Sequence, residues 1–531
     1  MQTSTGESPN AAERGHAPAP EGVERASPYA YYALAILVLA NFLNYVDRHI
    51  VSIVGQKLKV DLALTDAQLG FLIGTAFAVF YGVVGIAMGR IADALSRTRL
   101  MALGLALWSG MTAVAGLATS FAWLAVARLG VGIGEAAANP CSHSLLSDYF
   151  PARNRSAVLA VYLLGTHLGA AASLIGGGLM LSHWDTICLS FPDGACGIAN
   201  WRAAFFVTGA PGVLLALLVF FMREPRRATA VRKTGTLRLV ILELSAAIPP
   251  LTLVNLYRIG GMPAVTRNLI FALIVIVIAT GLSLTVGDWP QWAAVALGVY
   301  SVSTWAGVLR RRDTPLHRLT FGCPTFGYVA AGGALSTVVL GAAQAWSAPY
   351  VMRTLNATPA EAGVALGLAG ATAAGISVVA GGIITDFWKR RDPRAPVWIA
   401  LIALVVPVPA FVMMLRAETL AGYVAAYSVF MLISMLWAGG FAALVQDLVL
   451  QRMRGTAASA FSLIMILVGS GIGPYWVGKI SGLTGSLATG MLSVLTLVPV
   501  AAVLLVMGAR RLPAETRERR LALARAAGEP V

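Results

Sequence analysis

Gly89-Arg-Ile-Ala-Asp93-Ala-Leu-Ser-Arg97-Thr-Arg99 is a short basic stretch that recurs, in altered form, as Gly382-Ile-Ile-Thr-Asp386-Phe-Trp-Lys389-Arg390-Arg391. Each copy begins with a glycine, has an aspartate four residues later, and carries a basic cluster beyond the aspartate. Each copy also follows a long apolar segment. A stretch that recurs in matching positions indicates an internal repeat, and hence a chain built from two similar halves.

The segments around this repeat are too apolar for a water-soluble protein. Of the 531 residues, 57% are hydrophobic and 12% are charged, and the mean hydropathy is +0.75, whereas soluble domains carry about 25% charged residues. These values exclude a soluble enzyme, a collagen-like fibre and a disordered chain. A membrane-spanning helix needs about 20 largely apolar residues, and the chain contains fourteen segments of about that length. The predicted spans are 29–54, 67–88, 99–119, 122–146, 156–181, 201–222, 267–287, 291–309, 321–343, 360–384, 396–415, 419–443, 456–478 and 487–508.

The seventh and eighth segments are the least distinct of the fourteen. Only Gly287, Asp288, Trp289 and Pro290 separate them. They could form two spans joined by a tight turn or a re-entrant pair, and their lengths favour two spans.

The net charge of +15 is explained by membrane topology. With the amino terminus in the cytoplasm, 29 Lys and Arg residues fall on the cytoplasmic side and 6 on the other side. This asymmetry is typical of membrane proteins, whose cytoplasmic loops are enriched in Lys and Arg. We therefore expect both termini in the cytoplasm and, since no basic and aromatic patch accompanies the charge, no nucleic-acid partner.

The predicted fold is all-α: a polytopic membrane protein of about 14 spans. It has two pseudo-symmetric six-helix halves with two extra helices between them. The predicted divisions are a disordered cytoplasmic tail (1–28), an amino-terminal half (29–222), a basic linker with the two extra helices (223–320), a carboxy-terminal half (321–508) and a basic cytoplasmic tail (509–531). Within the linker, Leu237–Leu244 is expected to form a short helix on the membrane surface.

The two recurring stretches suggest an interface motif. A glycine lets two helices approach closely, an aspartate can accept hydrogen bonds from a helix N-terminus across the interface, and arginines hold a loop to the membrane surface. The alternative is a loop of the usual basic kind with an incidental aspartate, and the second copy favours the functional interpretation. The candidate residues are Gly89, Asp93, Arg97, Gly382, Asp386 and Arg390.

Four charged residues lie inside predicted spans: Asp47, Arg48, Arg128 and Glu135. Such groups are costly in hydrocarbon unless they are paired or reached by water, so they indicate a functional site. Arg128 and Glu135 are two helical turns apart on one face. At 1.5 Å per residue, Asp47 lies roughly 27 Å along its helix from one side of the membrane, and Glu135 lies roughly 20 Å along a helix that enters from the other side. The separation between the two carboxylates is then small enough for Arg48 or water to bridge.

These four groups can form a protonatable cluster, because burial raises the pKa of a carboxylate and a nearby arginine lowers it. The alternative is a static pairing of each acid with one arginine, needed only for folding. Asn139 lies one turn from Glu135 on the same face and is a weaker candidate for the cavity. No cofactor is expected, and a proton gradient would supply the energy.

The carboxy-terminal half has no such charges within its spans. Aromatic and other soft side chains could form a cavity wall there, and the candidates are Tyr328, Tyr427 and Trp437. A polar half facing an apolar half suits an amphipathic or lipid-like molecule. Helix packing alone explains each of these residues equally well.

The cysteines and histidines show no metal-ligand spacing, so no metal site is expected. Cys188 and Cys196 share one short polar loop and could pair if that loop faces an oxidising compartment.

The two basic stretches resemble the signature loop of the major facilitator superfamily of secondary transporters. Arg128-Leu-Gly-Val-Gly132-Ile-Gly134-Glu135 and Arg223-Glu224-Pro225 are similar to other motifs of that superfamily. Asn44-Tyr45-Val46-Asp47-Arg48 and Leu64-Thr65-Asp66-Ala67-Gln68-Leu69-Gly70 resemble its spinster-like branch, as does the Gly-Glu-Ala sequence ending at Ala136. That branch includes lysolipid and sphingolipid exporters. The resemblance implies the major facilitator fold, a role of the Asp, Arg and Glu in proton coupling and gating, and no enzymatic activity.

We therefore expect a proton-coupled secondary transporter in a bacterial cytoplasmic membrane. The expected partners are membrane lipids and a small, amphipathic or lipid-like substrate, and the expected assembly is a monomer. A general drug or organic-anion facilitator of the same superfamily is the alternative. An integral membrane enzyme acting on lipids is the rival from another class, and His143 with Asp148 is its best available catalytic set.

Overall fold

The computed structural model describes residues 26–151, 154–190, 195–225, 251–450 and 453–528, with residues 240, 244–245 and 248–249 between them. Its regular elements are helical throughout these ranges, and fourteen helices are long and apolar enough to cross a membrane. The predicted all-α fold of about 14 spans is confirmed. We number these spans α1 to α14. Their bounds are Pro28–Asp61, Asp66–Ala94, Arg97–Ala115, Phe121–Tyr149, Ala157–Ser190, Asn200–Phe220, Leu251–Val286, Trp289–Arg312, Pro324–Thr354, Pro359–Lys389, Ala395–Arg416, Leu420–Asp447, Arg454–Thr484 and Leu487–Ala514.

The seventh span is longer than its predicted bounds of 267–287. Helix α7 begins at Leu251, and it bends at Gly261, whose φ of 62° is in the left-handed region that favours glycine. Pro263 follows the bend. The basic residues at 258 and 267 concealed the earlier start, because they lower the apparent hydropathy of this end of the helix. Helices α7 and α8 are both of full spanning length, so a re-entrant pair is wrong.

Two predicted elements fall where the structure gives no description. The disordered tail lies outside the described residues up to position 25, and the surface helix at Leu237–Leu244 lies outside them except at 240 and 244, both of which are helical.

The fourteen spans form two groups of six and a hairpin. In the first group α1 packs on α5 and α3 packs on α6; in the second, α9 packs on α13 and α11 on α14. The two groups meet where α5 packs on α10 and α2 packs on α13. These groups correspond to the predicted halves, and we call them the first half (α1–α6) and the second half (α9–α14).

The hairpin α7–α8 lies beside the seam between the halves. Helix α8 packs on α2, and a Cβ placed on Gly298 of α8 would lie 3.1 Å from Leu467 of α13. The Asp288 carboxylate at the start of α8 is ion-paired with Lys479 of α13 at 2.7 Å. In contrast, none of the most apolar part of α7 is buried. A helix that is apolar all round and unburied in the protein suits contact with lipid.

Because the span count is even, the start of α1 at Pro28 and the end of α14 at Ala514 lie on the same side of the bundle. We call that side the termini face and the other side the opposite face.

Candidate functional site

The ion pair at the centre of the first half joins α1 to α4. Arg48 Nη2 donates to Glu135 Oε2 at 2.6 Å. The Glu135 side chain is 0% exposed, whereas the Arg48 side chain is 20% exposed. Glu135 Oε1 and Arg48 Nε are buried and have no hydrogen-bond partner among the described residues.

Three aromatic rings surround the guanidinium of Arg48. Its Cζ lies 4.7 Å from the ring centre of Tyr45, 4.5 Å from that of Phe77 and 5.3 Å from that of Tyr81. Ring faces attract a cation electrostatically at these distances, and more strongly when water is scarce. The charge of Arg48 is thus stabilised by one acid and three rings.

Arg128 supports the backbone at the site and does not pair with either acid. Its guanidinium donates to three carbonyl oxygens: to Leu72 at 3.2 Å, to Asp47 at 3.2 Å and to Arg48 at 3.4 Å. Helix α2 is interrupted at Gly74, and a carbonyl near an interruption needs a partner from outside its own helix. No described ion pair joins Arg128 to Glu135 or Asp47, so the static pairing of each acid with one arginine is wrong.

Asp47 is enclosed and has no cationic partner. Its side chain is 0% exposed, and no described Lys, Arg or His nitrogen lies within ion-pair distance of it. Its Oδ2 accepts a long hydrogen bond, 3.5 Å, from Ser109 Oγ, the Thr112 hydroxyl is a second polar neighbour, and its Oδ1 accepts no hydrogen bond from the described residues. Asp47 thus lies beside the ion pair, on the same helix as Arg48, and its carboxylate has no cationic partner of its own.

Asn139 extends the cluster along α4. Its Nδ2 donates to the Tyr81 hydroxyl at 3.2 Å, and its Oδ1 accepts from the Tyr162 hydroxyl at 3.1 Å. Since Tyr81 also faces Arg48, Asn139 is connected to the ion pair through one side chain. Asn139 and His143 are both exposed, so this side of α4 is not covered by the described residues.

The first signature loop is held within its own half. Arg97 is buried, and its guanidinium donates to Asp148 at 2.5 Å and to Glu224 at 2.8 Å. The Thr98 amide also donates to Glu224, at 3.0 Å. Burial raises the pKa of Glu224, but the hydrogen bonds from Thr98 and Arg97 lower it by more than burial raises it. The pKa of Glu224 therefore lies below the ordinary value.

The two signature glycines have open space where a side chain would begin. A Cβ on Gly89 or Gly382 would meet no atom within 4 Å. The backbone of Gly382 nevertheless lies 3.7 Å from a Cβ placed on Gly439 of α12, and the expected role of the two signature glycines at an interface stays a prediction. Asp93, Asp386 and Arg390 form no hydrogen bond or ion pair with a described residue; in the second copy Lys389 instead pairs with Asp447 at 2.5 Å.

Backbone-to-backbone contact occurs at other glycines, near the opposite face. A Cβ on Gly178 of α5 would lie 2.2 Å from the Pro359 carbonyl oxygen of α10, and one on Gly363 would lie 2.2 Å from that of Leu174. Likewise, a Cβ on Gly70 of α2 would lie 2.3 Å from the carbonyl oxygen of Pro474 in α13. The two halves are therefore in closest contact toward the opposite face.

A charged cluster joins the halves in the same region. Asp66, the first residue of α2, accepts two hydrogen bonds from Arg353 of α9, at 2.7 and 2.8 Å. It also accepts from Lys59 at 2.6 Å and from Ser481 of α13 at 2.8 Å. We call Asp66 and Arg353 the latch. The sequence marked Asp66 only as part of a motif, because its partner is 287 positions away.

With the fold and this geometry established, the chain can be compared with known proteins. The Major Facilitator Superfamily matches residues 37–474. The chain belongs to that superfamily.

Individual relatives agree with this assignment. The transporter is 29% identical, over 90% of both chains, to an efflux pump of the superfamily from Mycolicibacterium smegmatis. It is 27% identical to spinster homolog 1 of Rattus norvegicus, over 87% of this chain and 75% of that protein. The resemblance to the spinster-like branch is thereby confirmed.

A solved structure shows the same fold. It is the crystal structure of a bacterial homologue of the human lysosomal transporter spinster, in an inward-facing and unoccupied conformation. It matches with a TM-score of 0.70 at 23% identity, over 92% of this chain and 99% of that one.

The transporter is not an enzyme, as the sequence predicted. The two residues suggested as a rival catalytic set have other partners, because Asp148 pairs with Arg97 and His143 packs edge-on against Tyr162. No group of three or more potential metal ligands occurs among the residues that the structure describes.

The three aromatic residues suggested as a cavity wall lie in different surroundings. Tyr427 of the transporter is buried and stacks on Tyr423, and Trp437 packs edge-on against Phe441. Tyr328 lies under the guanidinium of Arg511, at the end of α14. None of the three contacts the cluster around Arg48 through a described hydrogen bond or ring contact.

Proposed function

We propose that this chain is a proton-coupled secondary active transporter that moves a small, amphipathic or lipid-like organic molecule by alternating access. The observation that carries the proposal is the pairing pattern in the first half. Asp47 is fully enclosed with no cation within ion-pair distance of its carboxylate, beside the ion pair of the partly exposed Arg48 with the buried Glu135.

This pattern favours a proton on Asp47. An ionised carboxylate that is buried without a partner costs several kcal/mol, and a bound proton removes that cost. A conformation in which water reaches Asp47 would remove the same cost by hydrating the carboxylate. The affinity of Asp47 for a proton would then change with conformation, which is the requirement for coupling.

Glu135 supplies a second step. When its carboxylate takes up a proton, Arg48 loses its acidic partner, and the three aromatic faces continue to hold the guanidinium. Arg48 then has donors available for cargo, in addition to the Nε that already lacks a partner. Cargo and proton would compete for one network, so the binding of one would depend on the other.

The cargo class is inferred from the distribution of polarity. Charged and polar groups concentrate around Arg48 in the first half, whereas Tyr423, Tyr427 and Phe430 give the second half a buried aromatic face. The resemblance to the spinster-like branch, which includes lysolipid and sphingolipid exporters, supports a lipid-like cargo. The efflux-pump relative favours the alternative, a facilitator of drugs or organic anions.

The orientation proposed is that of a bacterial cytoplasmic-membrane protein with both termini in the cytoplasm. Support comes from the 29-to-6 division of Lys and Arg. It also comes from the disulfide between Cys188 and Cys196, because disulfides persist in oxidising compartments and this loop is at the opposite face. We propose a monomer that needs no cofactor and uses the proton gradient.

The experiment begins with a thermal-shift screen of the purified protein against lysophosphatidylcholine, sphingosine and ethidium, since a ligand stabilises the state that it binds. The compound with the largest shift is then tested for uptake into proteoliposomes under an imposed pH gradient. We expect concentrative uptake or extrusion that a protonophore abolishes. Movement that reaches only equilibrium, with or without the gradient, would contradict the proposal.

A further inference from the structure

A cavity of about 270 Å³ lies at the opposite face, outside the cluster around Arg48. The first half contributes most of its wall, from α1, α5 and α6. The second half contributes Met352 of α9 and Pro359 of α10. Because both halves form the wall, the cavity is complete only while the halves are in contact here. The lining residues are Ile53, Gln56, Lys57, Val60, Leu181, Asn200, Met352 and Pro359.

The cavity offers one cation and one unused donor. Lys57 forms no ion pair with a described residue, unlike Lys59, which pairs with Asp66. Gln56 Nε2 is buried without a hydrogen-bond partner, although Oε1 of the same amide accepts from Arg353 at 2.8 Å. The amide of Asn200 is already engaged, donating to the Leu181 carbonyl at 3.0 Å and accepting from the Trp201 amide at 2.9 Å.

The remainder of the wall is apolar and contains no acidic residue. Ile53, Val60, Leu181, Met352 and Pro359 supply hydrocarbon surface on both sides of the cavity. A cation and an amide donor fit an anionic headgroup, and the apolar wall fits a hydrocarbon chain. The volume is many times the roughly 10–15 Å³ that one water molecule needs, which leaves room for a headgroup and a short chain.

We propose that this cavity is a second binding site, for a single-chain anionic amphiphile, and that its occupant holds the opposite face closed. The headgroup would contact Lys57 Nζ and Gln56 Nε2, with the chain against Leu181 and Met352. Gln56 connects the site to the latch, because Arg353 contacts both Gln56 and Asp66.

The site acts on transport through conformation. A ligand that binds one state only shifts the equilibrium toward that state by mass action. An amphiphile bound here stabilises the closed opposite face and slows turnover. This inference is independent of proton coupling, because none of the lining residues belongs to the cluster around Arg48.

The test measures thermal stabilisation of the full-length protein in nanodiscs of zwitterionic lipid. Decanoate is compared with decyltrimethylammonium, with decanol and with acetate. We expect a saturable rise in Tm with decanoate only. An equal rise with decyltrimethylammonium or decanol would overturn the anionic selectivity, and an equal rise with acetate would overturn the need for a chain.

Variants locate the ligand. Lys57→Gln should weaken decanoate binding at least tenfold, and Lys57→Arg should restore most of it. Arg416→Gln removes a charge from the same face away from the cavity and should bind like the wild type. Val60→Trp should block the cavity while leaving every charge in place, and Glu135→Gln should retain binding whatever its effect on transport. Unchanged binding in both Lys57→Gln and Val60→Trp would place decanoate elsewhere and overturn the proposal.

Discussion

At the scale of single residues, three arginines that are buried to different extents bind three different kinds of partner. Arg48 pairs with Glu135 and lies among aromatic rings, Arg128 binds carbonyl oxygens, and Arg97 joins two acids at the termini face. The sequence identifies Arg48 and Arg128 because charge inside an apolar segment is costly, and it identifies Arg97 because that residue lies in a recurring motif. It does not reveal their partners, since these depend on how each helix is rotated about its axis.

The contacts of Arg97 lead to a prediction about acid stability. Glu224 has a lowered pKa in the folded protein, against about 4.3 in an unfolded chain. Its stabilising effect is therefore complete above the unfolded pKa and is lost as the pH falls through the folded pKa. Glu224→Gln should lower the Tm at neutral pH and should approach the wild type in acid.

The measurement is the Tm in detergent between about pH 7 and pH 3, a range that includes the pKa of a glutamate in an unfolded chain. Glu418→Gln is the matched control, because Glu418 is exposed and accepts no hydrogen bond from a described residue. A constant Tm difference between Glu224→Gln and the wild type at every pH would show that the carboxylate charge is not the cause.

The aromatic partners of Arg48 illustrate the limit of the sequence at this scale. Tyr45, Phe77 and Tyr81 come from two helices, and in a membrane protein such residues usually pack or form interfacial belts. Their common target becomes apparent only when α1 and α2 are placed side by side. Asp66 is a similar case, because its motif was visible but Arg353 lies in the other half.

At the scale of elements, the contact between the halves depends on glycines near the opposite face. The sequence drew attention to Gly89 and Gly382 because they recur. The close contacts occur instead at positions such as Gly70, Gly178 and Gly363. Since every glycine in an apolar helix looks alike in sequence, only the crossing point of two helices identifies the one that must remain small.

Gly178 and Gly176 give a matched test of that contact. A Cβ on Gly178 would lie 2.2 Å from a backbone oxygen of α10, whereas a Cβ on Gly176 would meet no atom within 4 Å. Gly178→Ala should therefore push α5 from α10 and shift the population toward an open opposite face. Gly176→Ala, with the same change in helix propensity, should not.

The measurement is a distance distribution between spin labels at Leu117→Cys and Leu483→Cys, two exposed positions at the opposite face, one in each half. The two cysteines that lie outside the disulfide, Cys141 and Cys323, are first replaced by serine. Longer distances in Gly178→Ala alone are expected. Identical distributions in the two alanine variants would contradict the role of Gly178.

At the scale of the whole molecule, the sequence predicted the number of spans and the division into halves, because both follow from apolar length and recurrence. It missed the true start of α7, where basic residues lie within the helix. It also gave no position for the α7–α8 hairpin, which contacts both halves: α2 through packing and α13 through Asp288 and Lys479. Contacts of this kind join residues far apart in the chain.

The proposed orientation leads to a prediction for the whole chain. A fluorescent-protein fusion after Val531 should be fluorescent in bacteria, and an alkaline phosphatase fusion there should be inactive, because phosphatase needs an oxidising compartment. Phosphatase inserted in the loop after Gly485 should be active. An active phosphatase at the carboxy terminus would reverse the proposed orientation.

The central claim is that Asp47 carries a proton that is coupled to cargo. The most direct measurement uses pyranine-filled proteoliposomes, in which a gradient of the cargo found by the screen should drive proton movement. Asp47→Asn should abolish that proton movement while cargo exchange continues. Asp61→Asn, the same change on the same helix but at a residue that binds Trp201, should move protons like the wild type. Proton movement at the wild-type rate in Asp47→Asn would contradict the account.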